Sequence, residues 1–123
     1  MTQIEKRPYE LSLWEDVVSV DDGVITTSEK RLATIGSHTS TSPIAAFDIL
    51  LNRKINGEKT LTFSISASYY DQEEHIWRTN PHLTRLTNER KVKLKWRDKW
   101  YDFIIKNVSE DSKKKVYTYT AKD

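Results

Sequence analysis

The chain contains no cysteine, which excludes disulfide scaffolds, thiol catalysis, iron–sulfur clusters and every cysteine-based zinc site. Its apolar runs are only a few residues long, far short of the roughly 20 needed for a membrane-spanning helix. No apolar export signal is visible between Met1 and Glu10, so the expectation is a soluble protein made in a reducing compartment. Charge of one sign is also missing. Twenty Lys and Arg face eighteen Asp and Glu, a net charge of +2, which excludes a polyanion-coating tail or an acidic solvating segment. Three glycines and three prolines leave no low-complexity linker, and no stretch repeats with a solenoid period. A length of 123 residues suits one domain, expected to hide about two-thirds of its unfolded surface.

What the sequence does have is alternation. Leu61, Phe63, Ile65, Ala67 and Tyr69 interleave with Thr60, Thr62, Ser64, Ser66 and Ser68. Successive strand side chains point to opposite faces, so Lys59 to Tyr69 reads as a strand with one dry and one wet face. Phe47, Ile49, Leu51 and Ile55 give the preceding strand, and Asn56-Gly57 marks a hairpin between the two. A three-residue loop, Asn56-Gly57-Glu58, would set Ile55 opposite Lys59, Leu51 opposite Phe63 and Ile49 opposite Ile65, apolar against apolar. A second hairpin turns near Arg97 to Lys99, joining Val92, Leu94 and Trp96 to Tyr101, Phe103 and Ile105. A turn at Ser109 to Lys113 leads to a last strand with Tyr117 and Tyr119 on one face. Tyr9, Leu11 and Leu13 give another strand, and Lys30 to Ile35 a weaker one. Gly36 to Pro43 and Ser109 to Lys115 read as loops. Asn80-Pro81 supplies an N-cap and a first-turn proline for one short helix carrying Leu83 and Leu86. The expected fold is mainly β, a small antiparallel β-barrel or sandwich of six to eight strands with one short helix.

No catalytic, cofactor or metal site emerges. His38, His75 and His82 lack the three-to-five-residue spacing that puts two imidazoles on one ion, and each reads as a surface histidine. The acidic residues cluster in turns, at Asp21-Asp22, Asp71 to Glu74 and Glu110-Asp111; no nucleophile elbow or phosphate-cradling glycine loop accompanies them. The most unusual feature is the row Lys91, Lys93, Lys95, Arg97 and Lys99. Five cations on one strand face could follow a phosphate backbone, with Trp96 and Trp100 as stacking platforms. Alternation instead puts Trp96 with Val92 and Leu94 in the core. The plainer reading of the row is a solvated face opposed by acidic neighbours, or a lysine-protected edge. Four tryptophans and six tyrosines are many for this length. Trp14, Trp77, Trp96 and Trp100 are expected to lie partly in the core, and an aromatic excess also suits a subunit interface.

Several strings resemble one family. They are Arg7-Pro8-Tyr9-Glu10-Leu11-Ser12-Leu13-Trp14, Ala33-Thr34-Ile35-Gly36-Ser37 followed by Thr41-Ser42-Pro43, Asn56-Gly57-Glu58-Lys59-Thr60-Leu61-Thr62-Phe63, and Asn88-Glu89-Arg90-Lys91-Val92-Lys93-Leu94-Lys95 running into Trp100-Tyr101-Asp102-Phe103. In order and spacing they resemble the N-terminal domain of the baseplate hub proteins of long-tailed bacteriophages and prophages, also called tail-associated or prophage endopeptidase-tail proteins. The resemblance implies a virion structural component at the tail tip. Three copies would form a ring closing the tail tube beneath the distal tail protein, after assembly in the bacterial cytoplasm. Family members continue far beyond a position like Asp123, so residues 1–123 would be the truncated first part of a longer protein, with any cell-wall hydrolase downstream. The residues themselves give no reason to expect a cofactor, a membrane or a nucleic-acid partner. Lys91, Lys93, Lys95, Arg97 and Lys99 are the candidate partner interface, facing the tube lumen or an acidic neighbour. The rival reading is a monomeric small β-barrel module that binds nucleic acid or carbohydrate through the same row.

Overall fold

The computed structural model describes residues 2–3, 8–55 and 57–123. It is mainly β, as expected. The strands are β1 (Thr2–Gln3), β2 (Tyr9–Asp21), β3 (Val24–Ser37), β4 (Phe47–Arg53), β5 (Lys59–Ser66), β6 (Ser68–Asp71), β7 (Ile76–Thr79), β8 (Lys91–Trp96), β9 (Lys99–Asp111) and β10 (Val116–Lys122). Eight form one antiparallel sheet in the order β1-β4-β5-β10-β9-β8-β2-β3, and β6 and β7 form a separate hairpin. Bulges in β2–β3, β4–β5 and β9–β10 add bend and twist, and the sheet curls until its ends approach. The Ala46 N–H donates to the Ile35 carbonyl at 2.7 Å. Among the described residues no ladder joins β3 to β4, so the barrel stays open and the architecture is sandwich-like.

The alternation predicted the core. Leu61, Phe63 and Ile65 of β5 are fully buried, and so are Val92 and Leu94 of β8. Leu11, Leu13, Ile35, Ile49, Leu51, Phe103 and Ile105 converge on the same cluster, each large side chain contributing about 1.5–3 kcal/mol by leaving water. Phe63 and Tyr119 lie directly across a ladder and stack, 5.4 Å between centroids at 16°.

Several details differ from the sequence reading. β4 and β5 pair with Leu51 opposite Leu61 and Arg53 opposite Lys59, two residues away from the expected register. Such a slip keeps the faces as far as Leu50, so Leu51 stays buried. Beyond the bulge Phe47 meets Ser64 of the polar row and is only half-buried, and Ile55 falls in the longer loop and is fully exposed. Asn56 lies outside the described residues, as does Arg7. The strand expected over Lys59 to Tyr69 breaks at Ala67. Its N–H donates to the Lys115 carbonyl, its own carbonyl accepts from Asn80, and the chain leaves the sheet to form the β6–β7 hairpin. Gly36 and Ser37, expected in a loop, end β3, and β9 runs through Ser109 to Asp111.

The expected short helix is a single 3₁₀ turn, Pro81–Thr84. Asn80 caps it as foreseen, accepting from the His82 N–H at 3.0 Å. His82, expected on the surface, is buried instead. Its ring is drawn into the fold when the capped turn packs under the 38–46 segment, and burial together with the neighbouring Arg85 charge lowers its pKa.

The largest departure is at β2 and β3. The weak strand over Lys30 to Ile35 is the end of a 14-residue strand in a long hairpin. Its turn, Asp22-Gly23, has positive φ at both residues, 50° and 77°, the geometry of a two-residue turn matched to strand twist. β8 accompanies β2 only as far as Trp14, opposite Lys91. From Glu15 to Lys30, among the described residues, neither strand has a ladder partner except the other, an arm about 23 Å long.

Candidate protein interaction surface

The basic row does not act as one unit. Lys91, Lys93 and Lys95 share the outer face of β8, opposite Trp14, Ser12 and Glu10 of β2 and Ile104, Asp102 and Trp100 of β9. Arg97 and Asp98 form the turn, both with positive φ, 54° and 61°. Because the turn holds only these two residues, Lys99 begins β9 opposite Trp96 and shares the core-side face rather than the lysine face. The five residues therefore divide between an outer row, a turn and the other face.

Acidic side chains from β2 and β3 neutralise one half of the row. Lys91 Nζ lies 2.7 Å from Asp16 Oδ1 and 3.2 Å from Glu29 Oε2. Lys93 Nζ lies 2.8 Å from Glu29 Oε1. Hydrogen bonds from Lys93 and then Lys91 hold the Glu29 carboxyl below its ordinary pKa, while the Asp16 and then the Glu29 hydrogen bond raises the Lys91 ammonium. The Lys93 ammonium also sits 4.6 Å from the Trp14 ring centroid, and Trp14 Nε1 donates to Ser12 Oγ at 2.8 Å. Ser12 is fully buried beneath this cluster although it points to the outer face. These groups form a finished surface whose charges are already matched.

The other half is different. Neither Lys95 nor Arg97 has an ion pair among the described residues. The carboxylate across from Lys95, Glu10, is engaged by Arg31 at 2.8 Å. Lys95 and Arg97 line a cleft of about 590 Å³ with Pro8, Tyr9, Ser37 and His38. The backbone N–H of Tyr9 donates to His38 Nδ1 at 3.2 Å, pinning the 38–39 loop against the start of β2. Trp100, directly across from Lys95, is exposed beside it.

Of the four tryptophans expected to lie partly in the core, Trp96 is buried and Trp14 half-buried, whereas Trp77 and Trp100 are exposed. Trp100 is exposed because it belongs to the lysine face. Trp77, 69% exposed, sits on the β6–β7 hairpin, which leaves the sheet, and meets Tyr70 edge-on at 5.6 Å.

Sequence reasoning missed the apolar arm. Val18, Val20 and Ile25 are 63%, 68% and 71% exposed. Val20 lies directly opposite Ile25 and Val18 opposite Thr27, so all three share one face. The dipeptide Asp22-Gly23 between Val17-Val18-Ser19-Val20 and Val24-Ile25 was the available signal.

Among the described residues no three His, Asp or Glu side chains come together as metal ligands, and no helix is long and apolar enough to cross a membrane. Neither a known family model nor a curated relative matches this chain.

Proposed function

We propose that this chain is a structural assembly module of a long-tailed phage or prophage tail tip, part of the hub ring that closes the tail tube beneath the distal tail protein. The observation that carries the reading is the projecting β2–β3 arm. The core contains no residue of the arm, which displays Val18, Val20 and Ile25 to solvent on a two-stranded ribbon. Exposed apolar area of this kind marks an interaction site. The resemblance of the strings around Tyr9, Ile35, Phe63 and Leu94 to hub proteins supplies the context.

The rival, a monomeric nucleic-acid or carbohydrate module, loses its main support because Lys91 and Lys93 are already bound to Asp16 and Glu29. The two readings separate in one experiment. The chain is mixed with a candidate distal tail protein and its mass followed by light scattering, and in parallel it is titrated with oligonucleotides at two salt concentrations. A defined complex with the tail protein and no salt-steep oligonucleotide binding is the expected result. No complex, together with oligonucleotide affinity that falls steeply with salt, overturns the assembly reading.

A further inference from the structure

We infer that the chain self-associates head to tail, with the β2–β3 arm of one copy seated in the cleft beside Lys95 and Arg97 of the next. The occupant follows from complementarity between the two ends of the molecule. From Glu15 to Lys30 the arm carries five carboxylates, Glu15, Asp16, Asp21, Asp22 and Glu29, and one cation, Lys30; Glu15, Asp16 and Glu29 are ion-paired at its base. Two of them, Asp21 and Asp22, form the exposed tip of the arm. The cleft presents two cations without ion pairs, Lys95 and Arg97, beside two carboxylates, Glu10, which Arg31 engages, and Asp98 of the turn. The apolar parts also correspond: Val18, Val20 and Ile25 stand behind the acidic tip, while Pro8 and the exposed indole of Trp100 flank the cations.

One copy cannot satisfy itself. Tyr9, in the wall of the cleft, begins β2, and Asp21 ends it. Twelve residues of continuous strand hold the two about 40 Å apart. The tip must therefore come from another molecule. A contact between two different patches is heterologous, and it closes into a ring or grows into a filament according to the rotation between copies. A closed ring is what the hub reading requires, so the inference deepens that reading and rests on it for closure.

The test uses the full chain and no tail partner. The mass is followed by light scattering and sedimentation up to about 1 mM, where association as weak as about −4 kcal/mol is still detected. Two paired variants are compared: Asp21→Lys with Asp22→Asn at the tip, and Lys95→Glu with Arg97→Asp in the cleft. Asn and Asp are chosen at 22 and 97 because they tolerate the left-handed backbone there. A third, Val20→Ser with Ile25→Ser, removes the apolar contact without changing charge. Circular dichroism checks that each remains folded, since none of these residues belongs to the core. The expected result is a wild-type oligomer, at least a tenfold rise in dissociation constant for each variant alone, and renewed association when tip and cleft variants are mixed. A wild-type chain that stays at 14.4 kDa throughout overturns the inference. So does an oligomer lost with the tip variant but unchanged by the cleft variant, which is an arm-to-arm pair. Either outcome leaves binding to the distal tail protein unaffected, so failure of the docking and failure of the hub reading are distinguishable.

Discussion

Asn80 offers the sharpest test of how the fold is held together. It is fully buried at a point where three separate segments meet. Its Nδ2 donates to the Ser66 carbonyl at 2.9 Å and to the Ile44 carbonyl at 3.2 Å. Its Oδ1 accepts from the His82 N–H at 3.0 Å, and its own N–H donates to the Ala67 carbonyl at 2.9 Å. One side chain thus ties the end of β5, the 38–46 segment and the 3₁₀ turn. Asn80→Ala strands two carbonyls and one N–H. Each costs about 1–3 kcal/mol when buried, and two lie on half-buried residues that water can partly reach, so the expected loss is about 3–5 kcal/mol. Against a total of about 5–15 kcal/mol for a domain, that lowers Tm by about 10–20 °C. Urea denaturation with an unchanged slope is the assay. Asn80→Asp sharpens it, because a carboxylate there faces two carbonyl oxygens. Burial raises its pKa above the unfolded value of about 3.9. The native state then holds the proton more tightly, so this variant is most stable below that pH and weakens as pH rises through the native value. An Asn80→Ala loss below about 1 kcal/mol, or an Asp variant indifferent to pH, would refute the claim that these hydrogen bonds join the segments.

Three further outcomes are expected. Burial, and secondarily Arg85, lowers the His82 pKa, so the native state binds fewer protons than the unfolded state. Stability is complete above the unfolded value of about 6.5 and declines as pH falls through the native one; His82→Gln should flatten that slope in melts between pH 5 and 7.5. Both turn residues of the β8–β9 hairpin have positive φ, so Arg97→Asn with Asp98→Gly should raise stability by about 1–2 kcal/mol, read as a higher urea midpoint, while weakening self-association. No gain in midpoint would show that the backbone there is not strained. Hydrogen bonds from Lys93 and Lys91 hold the Glu29 pKa down, so its contribution is present above about 4.3 and lost as pH falls through the lowered native value. Glu29 is more than one-third exposed, which keeps that contribution below about 1 kcal/mol. Carboxyl NMR that finds Glu29 titrating at or above its ordinary value would remove this ion-pair network.

What could be read from the sequence, and what could not, follows from what alternation measures. Period two reports which face of a strand is dry, so Leu61, Phe63 and Ile65, and Val92, Leu94 and Trp96, were all legible. It is blind to a slip of two residues, which leaves both faces unchanged; the β4–β5 register from Leu50 to Arg53 depends instead on a five-residue loop, and beyond it a bulge at Asp48, with positive φ, shifts Phe47 again. Alternation is silent where both faces are wet, and for that reason the arm beyond Glu15 was invisible except through Asp22-Gly23. The basic row failed in another way. Its partners Asp16 and Glu29 lie 75 and 62 residues from Lys91 in sequence, and only the ladders β2–β8 and β2–β3 bring them beside it. Those same ladders explain why neutralisation stops halfway. Asp16 and Glu29 face each other across β2 and β3 at the Lys91 end. At the Lys95 end the corresponding carboxylate is Glu10, which Arg31 already occupies. The charge left unmatched is therefore placed by strand pairing at one end of β2, and the acidic, apolar arm is placed by the same pairing at the other. A molecule built this way has complementary ends that it cannot bring together itself.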